Sequence, residues 1–258
     1  MNLEETVRSR LTEKPLLLMT HAVVGYPSLE ENWRMMEAMG AAGVDLVELQ
    51  LPFSEPIADG PAFIRANQKA IEAAIGWDAY FEFFRRAAEA FPFAALFMGY
   101  YNGIYRMGEA TFVRRLADAG GRGFIVADLP PEEALELNRL GRERELDPIV
   151  LMTPTSSDAR LSAIAAQASG MVYCVARKGV TGAHTDLAAG TIEFLERCRR
   201  ATALPLGLGF GIHEADDVRA VRGHADVAIV GTACLRRWEE SGPRGYREFL
   251  EDLVAATR

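Results

Sequence analysis

Residues 44–61 read VDLVELQLPFSEPIADGP. The first six form a short apolar run rich in branched side chains, with a glycine ahead of it and a proline-punctuated segment behind. That pattern reads as a buried strand followed by a stiff loop. Working outward in both directions, runs of the same kind occur at 15–20, 93–98, 123–127, 148–152, 171–175, 205–209 and 226–230. Between them lie stretches with helical periodicity. Residues 29–41 place Leu29, Trp33, Met36 and Met39 on one face, and 191–199 do the same with Ile192, Leu195 and Cys198. Further helices are expected at 62–74, 78–90, 109–119, 131–143, 158–168, 214–222 and 244–256. Strand and helix alternate throughout, which calls for a parallel sheet buried on both faces. Eight such strands in 258 residues close most simply into a single (β/α)8 TIM barrel over 1–258, with a helix ahead of the first strand. An open doubly wound sheet uses the same repeating unit, and periodicity alone does not separate the two; the strand count favours closure.

Composition narrows the function classes. Lys plus Arg total 28 against 36 Asp plus Glu, for a net charge of -8, and no basic stretch is long enough to track a nucleic-acid backbone. Cys174, Cys198 and Cys234 are scattered without paired spacing, which argues against a disulfide framework and fits a reducing, cytoplasmic setting. The opening MNLEETVRSRLTEK lacks the apolar centre of a signal peptide, and no run approaches the roughly 20 apolar residues of a membrane span. His21, His184, His213 and His224 are dispersed, so no metal is expected. Lys178 sits among polar neighbours, a poor setting for an imine-forming amine.

In a barrel the chemistry lies at the C-terminal ends of the strands and in the loops beyond. That rule selects Glu48, near the end of the second strand, and Asp59, in the loop after it. A carboxylate among Val44, Leu46, Val47 and Leu49 is costly to ionise, and such groups suit proton transfer. The competing reading pairs Glu48 with an arginine at the strand end. Asp59 precedes Gly60, so it also reads as a turn former; Pro52, Pro56 and Pro61 stiffen the segment and allow a fixed second carboxylate instead. A second cluster is built from glycine: Gly179 and Gly182 after strand six, Gly209 and Gly211 after strand seven, and Gly231 with Thr232 after strand eight. Glycines in the last loops of a barrel, together with a short helix opened by Gly231-Thr232, suit a phosphate held by backbone N–H groups.

The segment VELQLPFSEPIADGP resembles the signature of the tryptophan synthase alpha subunit family, in which Glu-Leu-Gly, Pro-Phe-Ser-Asp-Pro and Ala-Asp-Gly-Pro follow one another. The likeness continues in FIVADLPPEE, ARKGVTGA and GLGFGI, in one order from about residue 15 to 235. The resemblance implies reversible aldol cleavage of indole-3-glycerol phosphate to indole and glyceraldehyde 3-phosphate. It assigns Glu48 as the acid/base and Asp59 as the carboxylate that accepts a hydrogen bond from the indole N–H. It further implies that Tyr173 orients the site, that Tyr100 lines the pocket, and that Gly182, Gly211, Gly231 and Thr232 bind phosphate. Residues 177–190 match a loop closing over substrate, ordered by Arg177 and Thr181. No cofactor is implied in this chain; pyridoxal phosphate belongs to a partner beta subunit, two alpha with two beta chains, contacted at Glu55, Asn102 and Pro130.

The chain departs from the family pattern at three positions in the site: Gln50 replaces the glycine after Glu-Leu, His21 stands where an apolar or aromatic residue is expected near the indole ring, and Thr232 replaces serine. Gln50 and His21 either bring polarity to the pocket wall or pack behind it. Glu55 replaces the usual aspartate facing the partner. Other readings on the same scaffold are a stand-alone lyase releasing free indole, a silent barrel that only activates a beta subunit, and another phosphate-binding barrel such as a histidine-pathway isomerase.

Overall fold

The computed structural model describes residues 2–175, 189–209 and 211–258. Its strands are β1 (Leu17–Val23), β2 (Leu46–Gln50), β3 (Ala94–Gly99), β4 (Gly123–Val126), β5 (Asp147–Pro148), β6 (Val150–Met152), β7 (Val172–Val175), β8 (Leu206–Gly209) and β9 (Val227–Val230). All pair in parallel, in the order β5-β4-β3-β2-β1-β9-β8-β7-β6. β5 and β6 are separated only by Ile149, whose N–H bonds the Phe124 carbonyl at 3.0 Å. They are two halves of one stave that pairs with β4 on one side and β7 on the other, so the sheet closes into a (β/α)8 barrel as the sequence predicts.

Period-two alternation divides the side chains into two layers. Leu17 and Met19 of β1, Leu46 of β2, Leu96 and Met98 of β3, Met171 and Tyr173 around β7, and Val227 and Ile229 of β9 fill the barrel interior. Their neighbours Leu18, Val47, Leu49, Phe97, Val172, Leu208 and Ala228 face outward against the helices in a larger cluster. The same alternation turns Glu48 and Gln50 inward, on the face of β2 that Leu46 occupies, toward the C-terminal mouth.

The N-terminal helix α1 (Leu3–Leu11) closes the opposite end. Asn2 caps it in a reciprocal box with Glu5, and Leu3 and Val7 enter the interior cluster. The Leu3 N–H donates to Asp147 at 2.9 Å, while Arg10 donates to the carbonyls of Asp45 and Pro92, and Lys14 pairs with Asp45 at 2.6 Å. A side chain at Gly123 would meet the Asp147 carbonyl at 2.5 Å, so the chain passes the barrel floor only as glycine.

Several boundaries differ from the sequence expectation. β1 runs on through Val23, so His21 lies within the strand rather than beyond it. The helix expected at 131–143 begins at Leu135, because residues 131–133 form turns after Pro130-Pro131. Helix α5 (Tyr101–Met107) is an addition that periodicity did not announce: Ile104 is its only buried residue. The short helix opened by Gly231-Thr232 is the start of α11 (Thr232–Ala256), which breaks at Gly242 ahead of Pro243. Among the described residues no helix is long and apolar enough to cross a membrane.

Candidate active site

At the C-terminal mouth, β1 and β2 pair with His21 opposite Glu48 and Val23 opposite Gln50. The loop after β2 carries Asp59 back over the same opening and ends at Pro61, the first residue of helix α3 (Pro61–Glu72). The cavity they border is lined by His21, Glu48, Ala58, Asp59, Phe63, Met98, Tyr173, Gly211, Ile212, His213, Gly231 and Thr232, with Gly231 packed next to Phe63 and His21. Ile125, Ala127, Leu151 and Ile229 add an apolar wall. Two carboxylates, an apolar slot and a glycine-lined rim therefore share one space.

Glu48 is 1% exposed, and its Oε1 has no hydrogen-bond partner among the described residues. No arginine or lysine among them reaches it; the nearest basic atom is His21 Nδ1, 3.7 Å from Oε2. Burial, with the Asp59 charge second, pushes the Glu48 carboxyl up to about 8. Burial lowers His21 to about 4. Between those values both are neutral, so the contact is not an ion pair.

Asp59 is not serving its own turn. Its Oδ2 accepts from Gln50 Nε2 at 2.7 Å and from Asn67 Nδ2 at 3.3 Å, and the Tyr100 hydroxyl also bonds its carboxylate. Burial raises Asp59, and these three donors oppose the rise, leaving it at about 6. Tyr100 accepts the Ala58 N–H at 3.2 Å and stacks on Phe53 at 5.0 Å between centroids, which pins the loop after β2 to the end of β3. Tyr100 and Tyr173 both have hydroxyls raised by burial first and then by the carboxylates near them, Asp59 for Tyr100 and Glu48 followed by Asp59 for Tyr173; each stays a neutral donor.

The glycine cluster sorts into different uses. Gly211 has φ +92, a backbone region that L side chains rarely adopt, and it lines the cavity. Gly231 borders the same cavity, against Phe63 and His21, and precedes Thr232, the first residue of α11, so a helix N-terminus opens at this cavity. Gly209 does something else: a Cβ there would lie 2.4 Å from the Tyr173 ring, so its bareness makes room for that tyrosine inside the barrel. Gly209→Ala should therefore force the Tyr173 ring toward the cavity, with about 1–3 kcal/mol lost in urea unfolding and a raised KM in steady-state kinetics.

Residues Arg177, Thr181 and Gly182, with Gly179 and the rest of 176–188, lie outside the described residues. Glu55, Asn102 and Pro130 stand apart from the cavity. All three are exposed: Glu55 and Pro130 on the loops that follow β2 and β4, and Asn102 in the first turn of α5 after β3. Sequence reasoning missed Asn67. It is fully buried on the apolar stripe of α3 between Phe63 and Ala70, where it bonds the Phe63 carbonyl at 2.8 Å and accepts the Phe53 N–H at 2.9 Å. A polar residue within a helix's apolar face was the available signal. Among the described residues no three His, Cys, Asp or Glu side chains gather as a metal site, and all three cysteines are free and buried.

A sequence profile of the tryptophan synthase alpha chain family matches residues 3–256. The tryptophan synthase alpha chain of Desulforapulum autotrophicum is 45% identical over 252 residues, covering 98% of this chain and all of that one. Its counterpart in Syntrophotalea carbinolica is 43% identical over 251 residues, covering 97% and 99%. A structure of Mycobacterium tuberculosis tryptophan synthase superposes with a TM-score of 0.92 at 30% identity, over 99% of this chain and 98% of that chain. With the profile, the near-full-length relatives and the barrel geometry in agreement, the chain belongs to the tryptophan synthase alpha chain family.

Proposed function

We propose that the chain is a carbon–carbon lyase of tryptophan biosynthesis that cleaves indole-3-glycerol phosphate to indole and glyceraldehyde 3-phosphate, with Glu48 as acid/base and Asp59 as the carboxylate that steadies the charged ring. The observation that carries this reading is the pair of buried carboxyls whose surroundings push them apart, Glu48 to about 8 and Asp59 to about 6. Near neutral pH one is an acid and the other a carboxylate.

In the proposed sequence Glu48 gives its proton to ring C3, and Asp59 accepts a hydrogen bond from the ring N–H as positive charge develops there. The Glu48 carboxylate then takes the proton of the hydroxyl on the carbon attached to the ring. The bond between that carbon and C3 breaks, its electron pair returns to the ring to give indole, and the carbon becomes the aldehyde of glyceraldehyde 3-phosphate. Glu48 ends protonated, ready for the next turnover. The phosphate is assigned to the backbone N–H groups around Gly211, Gly231 and Thr232, where the N-terminus of α11 favours an anion. Met98, Ile125, Leu151 and Ile229 give the indole ring its apolar wall.

The partner proposed is a tryptophan synthase beta subunit, as two alpha and two beta chains in the cytoplasm, with pyridoxal phosphate held by the beta chain and none by this one. Glu55, Asn102 and Pro130 support this, since they share their rim with Ile57, Tyr105 and Leu135, large apolar side chains 72%, 71% and 54% exposed. Assaying indole release by the purified chain, alone and after titration with a beta subunit, tests both parts. A rate that rises on mixing is expected. A fast rate unaffected by the partner marks a stand-alone lyase, and no cleavage in either state overturns the activity.

A further inference from the structure

The two polar departures from the family pattern are hydrogen-bonded to each other. His21 Nε2 lies 2.8 Å from Gln50 Oε1, and Gln50 Nε2 lies 2.7 Å from Asp59 Oδ2. Direction follows from the chemistry of each atom. An amide oxygen only accepts, so the ring nitrogen facing it carries the hydrogen; the amide nitrogen only donates, so the carboxylate accepts. His21 is then the neutral Nε2–H form, and its Nδ1 is a bare lone pair, on the side of Glu48 Oε2 at 3.7 Å. Phe63 covers the ring at 4.5 Å between centroids, and His21 and Gln50 are both buried, so neither group exchanges this partner for solvent.

We propose that His21 and Gln50 are positioning residues that support the different roles of the two carboxyls: the one-way chain His21→Gln50→Asp59 holds Asp59 as an accepting carboxylate, and it leaves a bare lone pair rather than an N–H on the side of the ring that faces Glu48, so the ring gives the Glu48 carboxylate no donor. The proposal rests on the acid/base reading of Glu48 and Asp59. The other titratable groups facing this chain are Tyr100 beyond β3, Tyr173 on β7 and His213 beyond β8, and no lysine or arginine lines the cavity among the described residues.

The test is a set of kcat/KM pH profiles for indole-3-glycerol phosphate cleavage, with Glu48→Gln run beside them. Gln50→Gly removes a donor that favours the Asp59 carboxylate, so the acidic limb should move up by roughly one pH unit. His21→Phe leaves the Gln50 carbonyl buried without a donor; the limb should move the same way, and the rate at neutral pH should fall roughly tenfold or more. His21→Gln can place an amide N–H where the ring N–H was, and should return the limb toward the parental position. The double variant His21→Phe/Gln50→Gly removes both polar partners together and should exceed either single variant in rate while keeping the raised limb. If Glu48→Gln is inactive and the single variants overlay the parental profile, or their effects simply multiply in the double variant, the bridge is overturned. If Glu48→Gln remains active, the acid/base reading fails instead. Nitrogen-15 NMR of His21 in the native chain decides the matter independently of how the variants fold: a neutral ring protonated on Nε2 is expected, and a proton on Nδ1 contradicts the proposal.

Discussion

Replacing Glu48 by glutamine should lower kcat for indole-3-glycerol phosphate cleavage by about 10²–10⁴, with KM little changed. The amide keeps the shape and the burial of the carboxyl but has no acidic proton to place on ring C3 and no carboxylate to take the hydroxyl proton back. Three nearby groups are poor substitutes: His21 is lowered to about 4 by burial, and the Tyr100 and Tyr173 hydroxyls are raised by it. The loss should appear in kcat because the interaction is made with the reacting atoms rather than with the bound substrate as a whole. A variant within tenfold of the parental rate would remove Glu48 from the chemistry.

The same substitution should stabilise the fold at alkaline pH. The Glu48 carboxyl is at about 8 in the folded chain against 4.5 for the ordinary side chain, with burial as the main cause. Below the ordinary value the carboxyl is protonated in both states and folding bears no cost from it. As pH rises from there toward 8 the unfolded chain ionises while the folded chain does not, and stability falls by about 1.4 kcal/mol per pH unit. Above 8 the difference is complete, on the order of 5 kcal/mol. Glutamine has no such dependence, so urea unfolding of Glu48→Gln should show a gain of a few kcal/mol over the parental chain near pH 9 that is absent near pH 4. Parallel pH dependence in the two chains would mean that Glu48 titrates as an exposed carboxyl. An enzyme that keeps an acid in an apolar strand gives up stability for proton transfer.

The barrel was legible because strands of a closed parallel sheet are buried on both faces, so each shows as a run of apolar residues whatever its side chains do elsewhere. Glu48 was legible for the same reason, as a charge inside such a run. Strand ends were less so. His21 interrupts the apolar pattern of β1 and reads as the start of a loop, yet it stays in the strand because Gln50, on the neighbouring strand, satisfies it. That partnership depends on register between segments 29 residues apart, and local pattern carries no register. α5 was unreadable because a helix with one buried residue has no apolar stripe. By its place before Gly60, Asp59 read first as a turn residue, and the donors that distinguish it, Gln50, Asn67 and Tyr100, come from three separate parts of the chain. The glycines after the late strands looked alike in sequence; the positive φ of Gly211 and the Tyr173 ring beside Gly209 separate them only in three dimensions.

In this mechanism one buried carboxyl works protonated while its neighbour works ionised. The pH dependence of kcat/KM for indole-3-glycerol phosphate cleavage reads both states at once, since it reports the essential groups of the free enzyme. A bell is expected, rising through about 6 as Asp59 ionises and falling through about 8 as Glu48 loses its proton. A profile that stays level from about pH 5 to about pH 9, or that climbs through 8, would contradict that division of labour.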